Sequence, residues 1–235
     1  IVFIGKLGVL GLGSEDNYPV PQEVTYFEES EDRIATVSCG MCHMGVTTSQ
    51  AKMFLWGCNQ YGQLGNPGIG NNSLLPIEDN SKRKFIEVAC GLTHTLALTR
   101  EGKIYATGDN DEGQCGVGKT DLNINEFESI ESLNQHHVTK VVAGCHSAAI
   151  TSEENIYVWG TSTFGRFLAP EKSVSMKGVI DASIGKSSGA AVDRNGKVWT
   201  WGYNELGQLG LVDTKPRCVP TLVKPIKKKK VYGVA

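Results

Sequence analysis

The chain has 235 residues, 40% hydrophobic and 20% charged, with a formal net charge of −2. That balance suits a globular chain with a substantial core and argues against a dedicated nucleic-acid surface, which would be strongly basic. No apolar run reaches the ~18 residues of a membrane helix, and seven cysteines without a framework spacing point to a reducing compartment, cytoplasmic or nuclear.

The chain opens on a strand-like run, Ile1-Val2-Phe3-Ile4-Gly5, followed by the glycine-rich stretch Leu7 to Gly13. That stretch is no phosphate loop, because no Gly-Lys-Ser/Thr follows it and no helix pattern opens there. Ser14 to Gln22 reads as a polar loop and Glu28 to Asp32 as a solvated acidic turn. Next come Cys39-Gly40-Met41-Cys42-His43 and the apolar run Lys52 to Trp56. They lead into Trp56-Gly57-Cys58-Asn59-Gln60-Tyr61-Gly62-Gln63-Leu64-Gly65.

That last stretch returns as Trp201-Gly202-Tyr203-Asn204-Glu205-Leu206-Gly207-Gln208-Leu209-Gly210. Weaker copies run from Thr107-Gly108 through Gly113-Gln114 to Gly116, and from Trp159-Gly160 through Gly165 to Leu168. The leading glycines Gly57, Gly108, Gly160 and Gly202 are 51, 52 and 42 residues apart. A Val-Ala-x-Gly-x-x-His element keeps the same step, with His43, His94 and His146 at one position and Ser188 in the fourth. Three elements in fixed order at a period near fifty mark a repeat array or a propeller. The units fall near 1–49, 50–100, 101–152, 153–194 and 195–235, the first and last incomplete. Short β-branched and aromatic runs, with Asn195-Gly196 between two of them, predict strands joined by hairpins. No window has helical spacing, so helix is expected below about 10%. The stretches 66–84, 117–137, 171–177 and 216–230 read as loops between one signature and the next strand.

These motifs resemble the regulator of chromosome condensation repeat family, and the resemblance covers nearly the whole chain. It implies an all-β propeller of four-stranded blades, usually seven to a ring. About five units are present, and a ring of seven at this period needs about 350 residues. The chain is therefore expected to be a piece of a longer protein. The copy at Trp159 departs from the pattern, with Ser162 for Asn and Arg166-Phe167-Leu168 for Gln-Leu-Gly.

Most repeated residues are expected to be scaffold. Trp56, Gly57, Gly62, Gln63, Leu64, Gly65, Gly108, Gly113, Gln114, Gly160 and Gly165 belong to that set, with Trp201, Gly202, Gly207, Gln208, Leu209 and Gly210. Gln63, Gln114 and Gln208 should pair with backbone groups that a tight loop leaves open. Leu64 and Leu209 should fill cores, and the tryptophans should pack between sheets. His43, His94 and His146 read as structural histidines. Cys39-Gly40-Met41-Cys42-His43 spells a haem-attachment pattern, but only one unit carries both cysteines. No metal and no cofactor are expected. Lys227-Lys228-Lys229-Lys230 reads as a solvated lead-in to a strand, and no set of nucleophile, base and acid stands out, so the chain is not read as an enzyme.

The functional expectation rests on positions that vary between copies. Gln60, Asp111, Thr163 and Glu205 share one signature position, and Phe127, His136 and His137 sit in the longest polar stretch. These are the candidate partner-binding residues of a regulatory, protein-binding module. The rival the resemblance implies is an exchange factor for a Ran-type small GTPase with chromatin association. The partner is expected to be another protein, with a kinase or ubiquitin-ligase domain in the full-length chain as further candidates. Nucleic-acid and membrane partners are not expected.

Overall fold

The computed structural model describes residues 8–28, 31–120, 122–162, 165–226 and 230–235. Thr163, the run 1–7 and Lys227 to Lys229 lie outside the described residues.

Among the described residues, sixteen strands form four separate sheets. The first holds β1 (Ile34–Cys39), β2 (His43–Thr48), β3 (Met53–Cys58) and β4 (Asn72–Glu78). The second holds β5 (Phe85–Cys90), β6 (His94–Thr99), β7 (Ile104–Asp109) and β8 (Asn123–Ser129). The third holds β9 (Val138–Ala143), β10 (Ser147–Thr151), β11 (Ile156–Ser162) and β12 (Gly165–Lys172). The fourth holds β13 (Val179–Ile184), β14 (Ser188–Asp193), β15 (Val198–Gly202) and β16 (Arg217–Leu222). Each sheet is an antiparallel meander in chain order. Among the described residues, helix is confined to 3-10 turns at Thr25–Phe27, Glu131–Leu133 and Lys224–Ile226, as the missing helical period predicts.

The first strands of the sheets lie side by side: β1 packs on β5, β5 on β9, and β9 on β13. Each second strand also packs on the next sheet's first strand, β2 on β5, β6 on β9 and β10 on β13. The four sheets are thus blades of a propeller, arranged as an open arc with the first strands innermost. Among the described residues the core has four clusters: one, Val46, Phe54 and Trp56 with Phe27 against it, on the first blade, and three in the joints between blades. Leu55, Leu64 and Phe85 anchor the first. Leu96, Ile104 and Trp159 anchor the second. Ile156, Ile184 and Trp201 anchor the third. The middle strands β6 and β3 are buried along their whole length, because they are covered on both faces.

The leading signature glycines explain how the outer strand of each blade turns. Gly57, Gly108, Gly160 and Gly202 have φ of 97°, 109°, 91° and 106°. Each follows a register shift, or bulge, in the pairing of the third strand with the fourth. A Cβ on Gly57 would lie 2.6 Å from the Cys42 carbonyl oxygen, so only glycine fits there.

One expectation needs correction. Three of the stretches read as loops contain the fourth strand of a blade, β4, β8 or β16, and 171–177 takes in the end of β12. Their polar composition, with Pro76 in β4 and Pro220 in β16, disguised them, yet both features are normal on an edge strand. The repeat period is out of phase with the sheets. The stretch 50–100 holds β3 and β4 of one blade and β5 and β6 of the next, so the sequence period spans a joint.

Candidate partner-binding face and blade joints

Each intact signature folds into a loop pinned from inside by its asparagine. Asn59 Oδ1 accepts from the Leu64 N–H at 3.0 Å, and its Nδ2 donates to the Gly70 carbonyl at 3.0 Å. Asn110 repeats this with Cys115 N–H at 3.1 Å and the Lys119 carbonyl at 2.8 Å. Asn204 repeats it with Leu209 N–H at 2.9 Å and the Asp213 carbonyl at 2.8 Å. The glutamines add a second pin. The Tyr61, Glu112 and Leu206 N–H groups donate to Gln63, Gln114 and Gln208 Oε1 at 3.0, 3.0 and 3.1 Å. Leu64 and Leu209 are buried, with Cys115 in the same place in the second blade. The asparagines are buried too. Their recurrence in three signatures was the signal for this structural role.

With the loops held this way, the residue after each asparagine points outward. Gln60, Asp111 and Glu205 are all exposed. They occupy one position in the loop between third and fourth strands, so they share one face of the arc. The loop between first and second strands ends on the same face and adds Met41, 66% exposed, and Lys186. Tyr61 stands beside Gln60 and Leu206, 88% exposed, beside Glu205. Met41, Tyr61, Lys186 and Leu206 were not among the sequence candidates.

The other candidates among the described residues do not join this face. Phe127 is a correction: it is 7% exposed, lies in β8, and packs on Phe85 with ring centroids 5.8 Å apart. The edge of its ring fills the notch left by Gly65, where a Cβ would lie 2.5 Å away. His136 and His137 follow β8 and lie at the opposite end of the strands. His137 packs on Gly102 in the β6–β7 turn, and His136 Nε2 is 3.0 Å from Tyr157 Oη.

The recurrent histidines sit in the joints. The Thr95 hydroxyl donates to the Gln63 carbonyl at 2.7 Å, and His43 Nε2 is 2.9 Å from the same hydroxyl oxygen. The hydroxyl proton is already used, so Nε2 of His43 carries the ring proton. One blade on, the Ser147 hydroxyl donates to the Gln114 carbonyl at 2.7 Å, and His94 Nε2 is 2.8 Å from it. At the next joint Gly189 follows Ser188 and offers no hydroxyl. His146 Nε2 there accepts from the Trp201 indole N–H at 3.3 Å. Burial holds all three rings neutral, lowering His43 and His146 to about 4 and His94 to about 3. Backbone bonds complete the joints, from Leu92 N–H to the Gly144 carbonyl at 2.9 Å and from Met41 N–H to the Gly91 carbonyl at 3.2 Å. Among the described residues, no group of three or more His, Cys, Asp or Glu side chains is placed to hold a metal ion. No helix among them is long and apolar enough to cross a membrane.

Residues 2–235 match the family model of the RCC1-like domain. The chain belongs to the RCC1-like domain family. Among RCC1-like relatives, it is 29% identical over 238 residues to the ultraviolet-B receptor UVR8 of Arabidopsis thaliana, across 93% of this chain and 52% of that protein. It is 31% identical over 206 residues to the probable E3 ubiquitin-protein ligase HERC6 of Homo sapiens, across 81% of this chain and 20% of that protein. The crystal structure of human WBSCR16 matches with a TM-score of 0.80 at 25% identity, across 94% of this chain and 59% of that one. The chain thus spans about half the length of the first relative and a fifth of the second. The signature asparagines and joint histidines bond within the loops and joints, and Gln60, Asp111 and Glu205 stand exposed beside them.

Proposed function

We propose that this RCC1-like chain is a regulatory, protein-binding module whose signature-loop face docks a partner protein. The observation that carries the reading is the contrast within each loop. Asparagine and glutamine fix the backbone from inside, while Gln60, Asp111 and Glu205 project from matching positions with different chemistry. A rigid frame holding variable side chains costs little ordering entropy on binding. Met41, Tyr61 and Leu206 add apolar area beside the acids, the mixture found at protein interfaces.

The exchange-factor reading asks for more. An exchange factor must hold the nucleotide-free GTPase more tightly than its loaded forms, through an element that reaches the nucleotide site. Among the described residues, the strand connections carry pinned signature loops and short turns, with no inserted hairpin beyond the blade strands themselves. Binding without acceleration of nucleotide release is the reading this supports. The signature-face reading covers partners such as a small GTPase, or a kinase or ubiquitin-ligase domain of a full-length protein, through the same loops.

The test is charge reversal on the face. Partner capture by the full-length protein should drop when Asp111→Lys and Glu205→Lys are combined, while the fold is retained. Release of a fluorescent guanine nucleotide from a Ran-type GTPase should be unchanged by the protein. A large acceleration that the same two substitutions abolish would put the chain with the exchange factors.

A further inference from the structure

The end of the second blade remote from the signature loops gathers cations that the neighbouring blades lack or engage. The β4–β5 connection carries Lys82, Arg83 and Lys84, and the β6–β7 turn carries Arg100 and Lys103. The backbone joins the two runs. The Arg100 N–H donates to the Lys84 carbonyl at 2.9 Å, and Phe85 pairs with Thr99. Lys82, Lys84 and Arg100 are exposed, and the ion pairs among the described residues include none of the three. The corresponding turn cations of the first and fourth blades are engaged, Lys52 with Glu78 at 3.7 Å and Arg194 with Glu154. The third blade has Ser152, Glu153 and Glu154 in this turn.

Arg83 adds a directed donor. Its guanidinium lies over the Tyr105 ring, 4.2 Å from the centroid, and its side-chain N–H groups make no hydrogen bond to another described residue. A planar fork held by stacking can meet a carboxylate with two parallel bonds. The acids nearest in the chain are already occupied. Glu78 is taken by Lys52, and Asp79 accepts from the Ser81 N–H at 3.1 Å and the Ser81 hydroxyl at 2.5 Å. The five cations outnumber the two carboxylates left beside them, Glu101 in the β6–β7 turn and Glu126 in the groove next to Arg83.

We propose that this patch docks a short acidic segment of a partner protein, with Arg83 taking one carboxylate as a fork and Lys82, Lys84 and Arg100 neutralising its neighbours. Charge complementarity specifies the occupant. Extent separates it from nucleic acid. Toward the third blade the patch gives way to Glu131 and Glu153, both exposed, so a long polyanion meets repulsion where a short acidic run does not. The signature face, with Asp111 and Glu205, has the opposite sign, so the two ends of the blades sort partners by charge. The proposal rests on the reading of the chain as a protein-binding module and gives it a second surface.

The probe is a capped, fluorescein-labelled peptide of glutamates spaced by glycines, titrated into the full chain and followed by anisotropy. Its control has glutamine at every glutamate. Saturable binding that weakens with added salt is expected for the first and none for the second. Lys84→Glu combined with Arg100→Glu should weaken binding by about tenfold or more. Arg83→Lys, which keeps the charge and loses the fork, should weaken it too. Lys84 and Arg100 are exposed and Arg83 half-buried, so the fold should survive, and melting curves check that. The same reversal on the fourth blade, Lys197→Glu with Lys224→Glu, should leave binding unchanged. No binding near ~1 mM peptide, equal binding of the glutamine control, unweakened binding by Arg83→Lys, or equal weakening by the fourth-blade pair would overturn the proposal. So would tighter binding of a single-stranded oligonucleotide of the same charge, because nucleic acid would then be the occupant. Partner capture lost with Asp111→Lys and Glu205→Lys but untouched by Lys84→Glu and Arg100→Glu would sink this surface while sparing the signature face.

Discussion

His94 Nε2 lies 2.8 Å from Ser147 Oγ, across the joint between the second and third blades. The same hydroxyl closes onto the Gln114 carbonyl at 2.7 Å, so one serine ties a histidine of its neighbour to the loop that follows it. His43 and Thr95 repeat the arrangement one joint earlier.

This relationship makes the joints sensitive to acid. Burial lowers the three rings from 6.5 to about 4, 3 and 4. The unfolded chain therefore takes up protons first as pH falls. The contribution of the neutral rings is fully present above pH ~6.5 and is lost as pH falls toward ~4, at ~1.4 kcal/mol per pH unit for each histidine. Urea denaturation at a series of pH values should show this slope, and His94→Gln should flatten it by about a third. A stability independent of pH across that window would contradict the buried neutral rings.

The signature glycines should not be equivalent. Gly62 and Gly207 share a positive φ, 79° and 75°. A Cβ on Gly62 would meet Asn125 Oδ1 at 2.3 Å, whereas one on Gly207 has open space. Gly207→Ala should cost about 1 kcal/mol from the backbone alone, and Gly62→Ala more than ~2 kcal/mol. Gln60→Ala at the exposed tip should stay within ~0.5 kcal/mol. Melting curves that rank Gln60→Ala with Gly62→Ala would show the loop to be held differently.

Asn110 is the pin of its loop. Asn110→Ala leaves the Cys115 N–H and the Lys119 carbonyl without their side-chain partner. The expected loss is about 2–3 kcal/mol by chemical denaturation, against ~0.5 kcal/mol or less for its exposed neighbour in Asp111→Asn. Asn110→Asp should not rescue, because it removes the donor and buries a charge.

Phe127→Ala should cost about 3–4 kcal/mol as a core truncation. Partner affinity per folded molecule should stay unchanged, since Phe127 seals a joint away from the docking face. A loss of affinity with no loss of stability would return Phe127 to the surface.

The thiols should react in the order of their exposure. Cys218 and Cys39 are exposed, the Cys39 thiol being pushed up by partial desolvation, whereas Cys58, Cys90 and Cys115 are buried. Burial, with Cys58 alongside, pushes Cys42 up to about 12, so it is a poor nucleophile at neutral pH. Mass spectrometry after brief alkylation should find Cys218 modified first and the buried three only after unfolding.

The sequence showed the loops well because their fixing groups are local. Asn59 Oδ1 and Gln63 Oε1 accept from N–H groups within the ten residues that contain them, so the repeated letters are themselves much of the mechanism. The outer strands were harder to see. β8 buries only Ile124 and Phe127, three residues apart, and β4 only Pro76, so neither strand shows a two-residue period. Phe127 was misplaced for that reason, its buried side hidden among Asn123, Glu126 and Glu128. The separation of His136 and His137 from Asp111 follows from strand direction, which no single repeat position reveals.

The half-unit offset between repeat and sheet bears on how such a molecule can be gained and lost in evolution. The repeat boundaries fall in the hairpin turns between second and third strands, as at Gly102 and Glu154. Excising the chain from one such turn to the next would join β6 directly to β11. The remainder would be β5, β6, β11 and β12, again a complete four-stranded meander. Duplication or loss between these turns changes the number of blades without leaving a half-built sheet, so recombination at the turns yields proteins that can still fold.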